Sequence, residues 1–146
     1  MNPTETIGGL VGLSSRMLTN ELENQFMRNG CELTREQWIF LMTLMNESPL
    51  TPLALAKKLM KNRGSITSLI KGLEKRELIH KVTINNDGRS YGVDITPMGK
   101  QLTEEAKHIA FGVLGQALTG FNESEQQQMH NLLLRFVQNL TGENNG

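Results

Sequence analysis

The sequence predicts a mainly α-helical fold with one small β-hairpin. Three observations carry that expectation. Apolar residues recur at three- and four-residue steps over most of the chain, the period drops to two only between about Ile79 and Thr96, and the pairs Thr51-Pro52 and Thr96-Pro97 mark helix starts. With 146 residues, of which 38% are hydrophobic, the chain suits one compact core, so residues 1–146 are expected to form a single domain.

Residues 5 to about 29 read as the first helix, because Leu18, Leu22 and Phe26 recur at four-residue steps behind Ile7, Leu10, Val11 and Met17. Gly30 is its expected stop. Thr34 and Gln37 have capping-box spacing, and Trp38, Leu41, Met42 and Met45 follow as an apolar stripe of helical period. Ser48-Pro49 breaks the chain. Thr51-Pro52 then offers an N-cap with proline at the first helical position, opening a short third helix that carries Leu55, Ala56 and Leu59.

Asn62 can cap a fourth helix whose buried stripe is Ile66, Leu69, Ile70 and Leu73. At 100° per residue, Gly64, Ser68, Lys71 and Lys75 fall on the opposite side, with Ser65, Thr67 and Gly72 on its flanks. Ile79 to Ile84 and Tyr91 to Thr96 read as two strands joined through Asp87-Gly88, a good hairpin signal. Thr96-Pro97 starts a long helix through Leu102, Ala106, Ile109, Val113 and Ala117, which Gly120 and Asn122 interrupt. A last helix carries Met129, Leu132, Leu133, Phe136, Val137 and Leu140. A helix, a three-residue turn, a basic helix and a hairpin, in that order, make a winged helix-turn-helix.

The formal net charge of zero conceals a segregation. Residues 57–89 hold nine basic residues against three acidic ones, a surplus of +6 balanced by −6 elsewhere. A basic module on an acidic body concentrates positive potential on one surface, as phosphate binding requires. The remaining composition narrows the function by exclusion. The single cysteine, Cys31, rules out an internal disulfide framework, and His80, His108 and His130 are too scattered for a metal site, so neither metal nor cofactor is expected. No nucleophile motif, Gly-rich phosphate loop or paired carboxylates support an enzyme. No run of about 18 apolar residues and no secretory signal are seen, so a cytoplasmic protein without a membrane partner is expected.

The motif assigns roles. The major groove admits one helix, and small residues near its N-terminus allow close approach to base edges, which suits Ser65, Thr67 and Ser68. Lys71 and Lys75 stand where they reach flanking phosphates, and the helix start at Asn62, Arg63 and Gly64 is itself favourable to a phosphate. Arg89, at the hairpin tip, is placed for the adjacent minor groove, with Asp87 orienting it or the turn.

Several segments together resemble the multiple antibiotic resistance regulators, the MarR family of bacteria. Leu33-Thr34-Arg35-Glu36-Gln37-Trp38 is similar to the family's "LT..QW" start of its second helix, and Leu55-Ala56-Lys57-Lys58-Leu59 to its "LA..L" third helix. Arg63 to Arg76 is similar to the recognition helix with its "LE+RGLI" exit, Asp87-Gly88-Arg89 to the wing motif, and Ile95 to Lys100 to "LT..G". The similarity runs from about residue 7 to 140.

The resemblance implies a homodimer. Residues 5–33 and 97–140 would supply the N- and C-terminal dimerisation helices, residues 34–96 the winged DNA-binding module, and the partner would be near-palindromic double-stranded DNA. Many apolar residues on the outer helices agree, since a short winged module could not bury them alone. It further implies a transcriptional repressor released by a small aromatic or phenolic effector, with Trp38, Met42 and Met45 as candidate pocket residues against a competing reading as core.

Two alternatives remain open at this stage: an oxidant-sensing regulator using Cys31, and a winged module for protein contact without DNA, which would need no basic recognition face. The sequence also departs from the family pattern. Met60-Lys61-Asn62 forms the turn where a glycine usually comes first, Ser68 stands where many members carry arginine, and Lys71-Gly72 replaces an acidic-basic pair.

Overall fold

A computed structural model describes residues 2–84 and 90–142. A 3-10 turn over Pro3–Glu5 precedes six α-helices and two strands: α1 (Ile7–Arg28), α2 (Arg35–Asn46), α3 (Pro52–Leu59), α4 (Arg63–Lys75), β1 (Ile79–Thr83), β2 (Tyr91–Ile95), α5 (Pro97–Ala117) and α6 (Glu123–Thr141). The chain divides into two compact units, the first ending at Val113 and the second beginning at Leu114.

The helix starts follow the expected side-chain chemistry. Thr34 and Gln37 form a reciprocal capping box at the start of α2, and Thr51 Oγ1 accepts from the Ala54 N–H at 3.1 Å. Asn62 Oδ1 accepts from the Ser65 N–H at 2.8 Å, supporting the start of α4 by about 1 kcal/mol. The first N–H of α2 is also held from outside its own helix, by a Glu23 Oε2 of α1 at 2.8 Å.

Three helices stop by the same device. At the ends of α1, α3 and α4 the chain enters the left-handed region at Gly30 (φ 76), Met60 (φ 55) and Glu77 (φ 61). The following residue then donates back across the turn: Cys31 to the Phe26 carbonyl at 2.8 Å, Lys61 to Ala56 at 3.0 Å and Leu78 to Leu73 at 3.1 Å. These are Schellman closures, which satisfy helix-end carbonyls and favour glycine at the left-handed position. Only α1 uses glycine. The departure at Met60 is thus accommodated without a change of turn geometry.

The strands pair antiparallel with Ile79 opposite Ile95 and Thr83 opposite Tyr91. Leu50 adds a bridge on the other edge of β2, exchanging hydrogen bonds with Val93 at 3.0 and 2.7 Å. This third backbone partner was not expected from the sequence. Gly99 explains the glycine of the segment that opens α5: a Cβ there would lie 2.1 Å from the Leu78 carbonyl oxygen, so α5 passes too close to that backbone for any side chain.

The core of the first unit is continuous. Leu22 and Phe26 of α1 pack with Phe40, Leu41 and Leu44 of α2, Leu55 of α3, Ile66, Ile70 and Leu73 of α4, Ile79, Val93 and Ile95 of the strands, and Ala106, Ala110 and Val113 of α5. The stripe expected on α2 is rotated: Leu41 is buried, but Phe40 and Leu44 fill the interior while Trp38, Met42 and Met45 are only half-buried. In the second unit α6 is capped by an Asn122–Glu125 box and closed at Gly142 (φ 77), yet it contains no buried residue.

Candidate nucleic-acid interface

The candidate interface is assembled by α3, the turn Met60 to Asn62, and α4. Ile66, Ile70 and Leu73 anchor α4 in the core, and this fixes its rotation. Arg63, Gly64, Thr67, Ser68, Lys71 and Lys75 are in consequence exposed, with Ser65 half-buried on the flank. Asn62, which caps the helix, is exposed at its start. Gly64, Ser65, Thr67, Ser68, Lys71 and Lys75 lie where the helical phase places them. Asp87 and Arg89 fall outside the described residues.

The outward face of α4 combines a helix N-terminus, two hydroxyls and a glycine, followed one turn apart by Lys71 and Lys75. Among the described residues no carboxylate pairs with Arg63, Lys71 or Lys75, whereas three other cations of the basic segment are engaged. Lys58 Nζ lies 2.9 Å from Glu47, Lys61 Nζ 2.5 Å from Glu36, and Lys81 Nζ 3.9 Å from Glu74. Lys81 also sits over the Tyr91 ring, 4.9 Å from its centre, so a cation–π contact ties the two strands of the wing together on one face.

Sequence reasoning missed Glu36 and Lys61. Glu36 belongs to the first turn of α2 and, with Gln37, Gly64, Ser65, Ser68 and Leu69, lines an open polar cleft of about 400 Å³ beside the recognition helix. The signal was absent from the one-dimensional pattern because the two residues are 25 positions apart and meet only when α2 and α4 pack.

Trp38 packs edge-on against Phe26 at 5.9 Å and Met45 lies against the core, so packing accounts for much of both. Trp38 Nε1 is buried and has no hydrogen-bond partner among the described residues. Cys31 is fully buried, and that burial, aided by the Glu105 carboxylate, pushes its thiol up from the ordinary value. Both effects work against the thiolate that an oxidant-sensing role needs. Among the described residues, no cluster of metal-binding side chains occurs, and no helix is long and apolar enough to cross a membrane.

Comparison with known proteins agrees with this geometry. Residues 33–91, which span the cap of α2 through the first residue of β2, match the MarR family model. An uncharacterized HTH-type transcriptional regulator of Bacillus cereus is 28% identical over 137 residues, covering 89% of this chain and 88% of its own. A probable transcriptional regulator from Pseudomonas aeruginosa superposes with a TM-score of 0.82 at 26% identity, over 91% of this chain and 98% of that one. MepR of Staphylococcus aureus, solved as a DNA complex, shares the fold with a TM-score of 0.80 at 21% identity, over 92% of this chain and 96% of its own. Residues 33–91 thus match the MarR family model, and the relatives that the chain matches over most of its length are helix-turn-helix transcriptional regulators.

Proposed function

We propose that the chain is a sequence-specific double-stranded DNA-binding repressor that works as a homodimer and is released by a small effector. The observation that carries the DNA reading is the outward face of α4: Gly64, Thr67 and Ser68 are exposed at its start and Lys71 and Lys75 stand unpaired among the described residues behind them. Small side chains let the helix approach base edges, and the lysines and the helix start serve phosphates. The DNA-bound state of MepR, a protein of the same fold, supports that use of the surface. Arg89 would extend the contact into the neighbouring minor groove, with Asp87 orienting it or the turn.

The dimer is supported by apolar surface that has no use in one chain. Ile7, Leu10 and Met17 of α1 are exposed, and so are Leu132, Leu133, Phe136, Val137 and Leu140 of α6. A two-fold partner would cover such residues and set two reading heads about 34–36 Å apart, one turn of DNA. For the effector, the buried and unpartnered Nε1 of Trp38 supports a site near Trp38, Met42 and Met45, where an anionic oxygen on an aromatic ring would satisfy the indole N–H. Release requires that this ligand prefer a dimer geometry that no longer fits successive grooves, since equal affinity for both shifts nothing.

Selection of bound fragments from the source genome, followed by footprinting, tests the reading. A shared inverted repeat is expected. Failure to enrich any duplex at low salt overturns it.

A further inference from the structure

We propose that Glu36 is a specificity-determining residue of the reading head, an acceptor at the edge of the α4 groove for the exocyclic amine of a base. This inference rests on the DNA reading above and concerns what that same surface selects. Glu36 is not on the recognition helix, yet it lines one cleft with Gly64, Ser65 and Ser68, three of the residues that face DNA in that reading. A carboxylate there is the wrong charge for a phosphate contact. Among the groups that a duplex presents in its major groove, it suits only the amino hydrogens of cytosine N4 or adenine N6.

The ion pair with Lys61 makes such a carboxylate tolerable on a DNA-facing surface. Lys61 Nζ binds Oε1 at 2.5 Å, which offsets the negative charge locally and holds the side chain in one place. Oε2 accepts no hydrogen bond among the described residues, so one acceptor of this cleft-lining side chain stays open. The Glu36 side chain is 59% exposed, and Lys61, at 27%, is the more sheltered partner. Lys61 in turn lies between Met60 and the Asn62 cap, so the carboxylate is held in register with the first turn of the recognition helix. A phosphate entering the cleft would be repelled, and a thymine O4 or guanine O6 would meet another acceptor. The carboxylate therefore selects by rejection as well as by attraction.

The test is enrichment of a randomised duplex library by the full chain, by Glu36→Gln and by Lys61→Gln, with the motifs compared position by position. The wild-type chain is expected to select cytosine or adenine at one position of each half-site, with about a tenfold penalty for the other bases. Glu36→Gln keeps the rest of the motif but reduces that penalty to below about threefold, because an amide can turn its own donor to the acceptors that a carboxylate refuses. Lys61→Gln, which frees the carboxylate from its partner, is expected to lower affinity at every sequence and to weaken the preference at that one position.

An unchanged motif for Glu36→Gln overturns the assignment, and so does a Lys61→Gln motif that is intact at that position or altered at others. A wild-type chain that enriches no motif overturns the DNA reading itself and this inference with it. Thermal unfolding separates recognition from folding. Both variants should melt within a few degrees of wild type, as expected for an exposed pair.

Discussion

The Thr96 hydroxyl donates to the Glu77 carbonyl at 2.7 Å and accepts from the Gly99 N–H at 3.0 Å. One side chain thereby starts α5 and holds the left-handed residue that ends α4, so the recognition helix and the long helix are joined at a single hydroxyl.

Thr96→Val removes both bonds while keeping the shape, and it should destabilise the chain by about 1–2 kcal/mol. Glu77→Gly should act in the opposite direction. The left-handed conformation costs a residue with a side chain about 1–2 kcal/mol, and glycine loses part of that advantage through its greater freedom when unfolded. A net gain of about 0.5–1 kcal/mol remains, or about 2 °C in melting temperature. Met60→Gly should behave alike, because Met60 occupies the same position at the end of α3. Urea and thermal unfolding read all three variants, and a loss of stability in both glycine variants would contradict the Schellman assignment.

Lys71→Ala and Lys75→Ala should each weaken binding to specific and non-specific duplexes by similar factors. Each should also reduce the dependence of log K on log salt by about one unit of slope, the signature of one released counterion. Titration of a labelled duplex between about 50 and 200 mM salt measures this. Ser68→Asp places a charge on the same face and should abolish binding, with the far-ultraviolet circular dichroism unchanged.

On α6, Leu133 and Val137 share one face at a four-residue spacing, and their exposures are 46% and 48%. The double change Leu133→Asp and Val137→Asp should give a monomer in sedimentation equilibrium and lower operator affinity by at least about 100-fold, because only one half-site then contributes. A variant that stays dimeric would remove α6 from the proposed interface.

For Cys31 the raised thiol value makes two statements. At pH 7.5 the folded chain should react with a thiol reagent far more slowly than the urea-unfolded chain, and millimolar peroxide should leave DNA affinity unchanged. The linkage sign follows from the direction of the shift. The folded state holds its proton to higher pH than the unfolded state, so the group's contribution to stability is complete below the ordinary thiol value of 9.0 and is lost as pH rises through the folded value. Unfolding midpoints of wild type and Cys31→Ala should differ by a constant amount at pH values well below 9.0 and approach one another as pH rises past it.

Much of the reading head was legible in one dimension. Three of the helix caps are local side-chain chemistry at fixed offsets, and the phase of α4 follows from the buried Ile66, Ile70 and Leu73, so the exposed set from Gly64 to Lys75 could be placed by counting. On α2 the same method failed by a rotation. The expected set Trp38, Leu41, Met42 and Met45 and the set Phe40, Leu41 and Leu44 are both apolar at helical spacing, and only contact with α1, α4 and the strands chose the second for the interior.

The local layer is therefore written in short stretches of chain: where helices begin, which face of α4 turns outward, and where the basic charge gathers. Tertiary structure alone decided the relationships between residues distant along the chain. It brought Glu36 onto Lys61, Leu50 onto Val93 and Thr96 onto Glu77, and it set the Gly99 backbone against Leu78. The physical reason is the range of the forces. Caps and periodicity act within a turn or two of helix, whereas these pairings form only after the apolar faces have been buried together and the backbone has been brought within hydrogen-bonding distance.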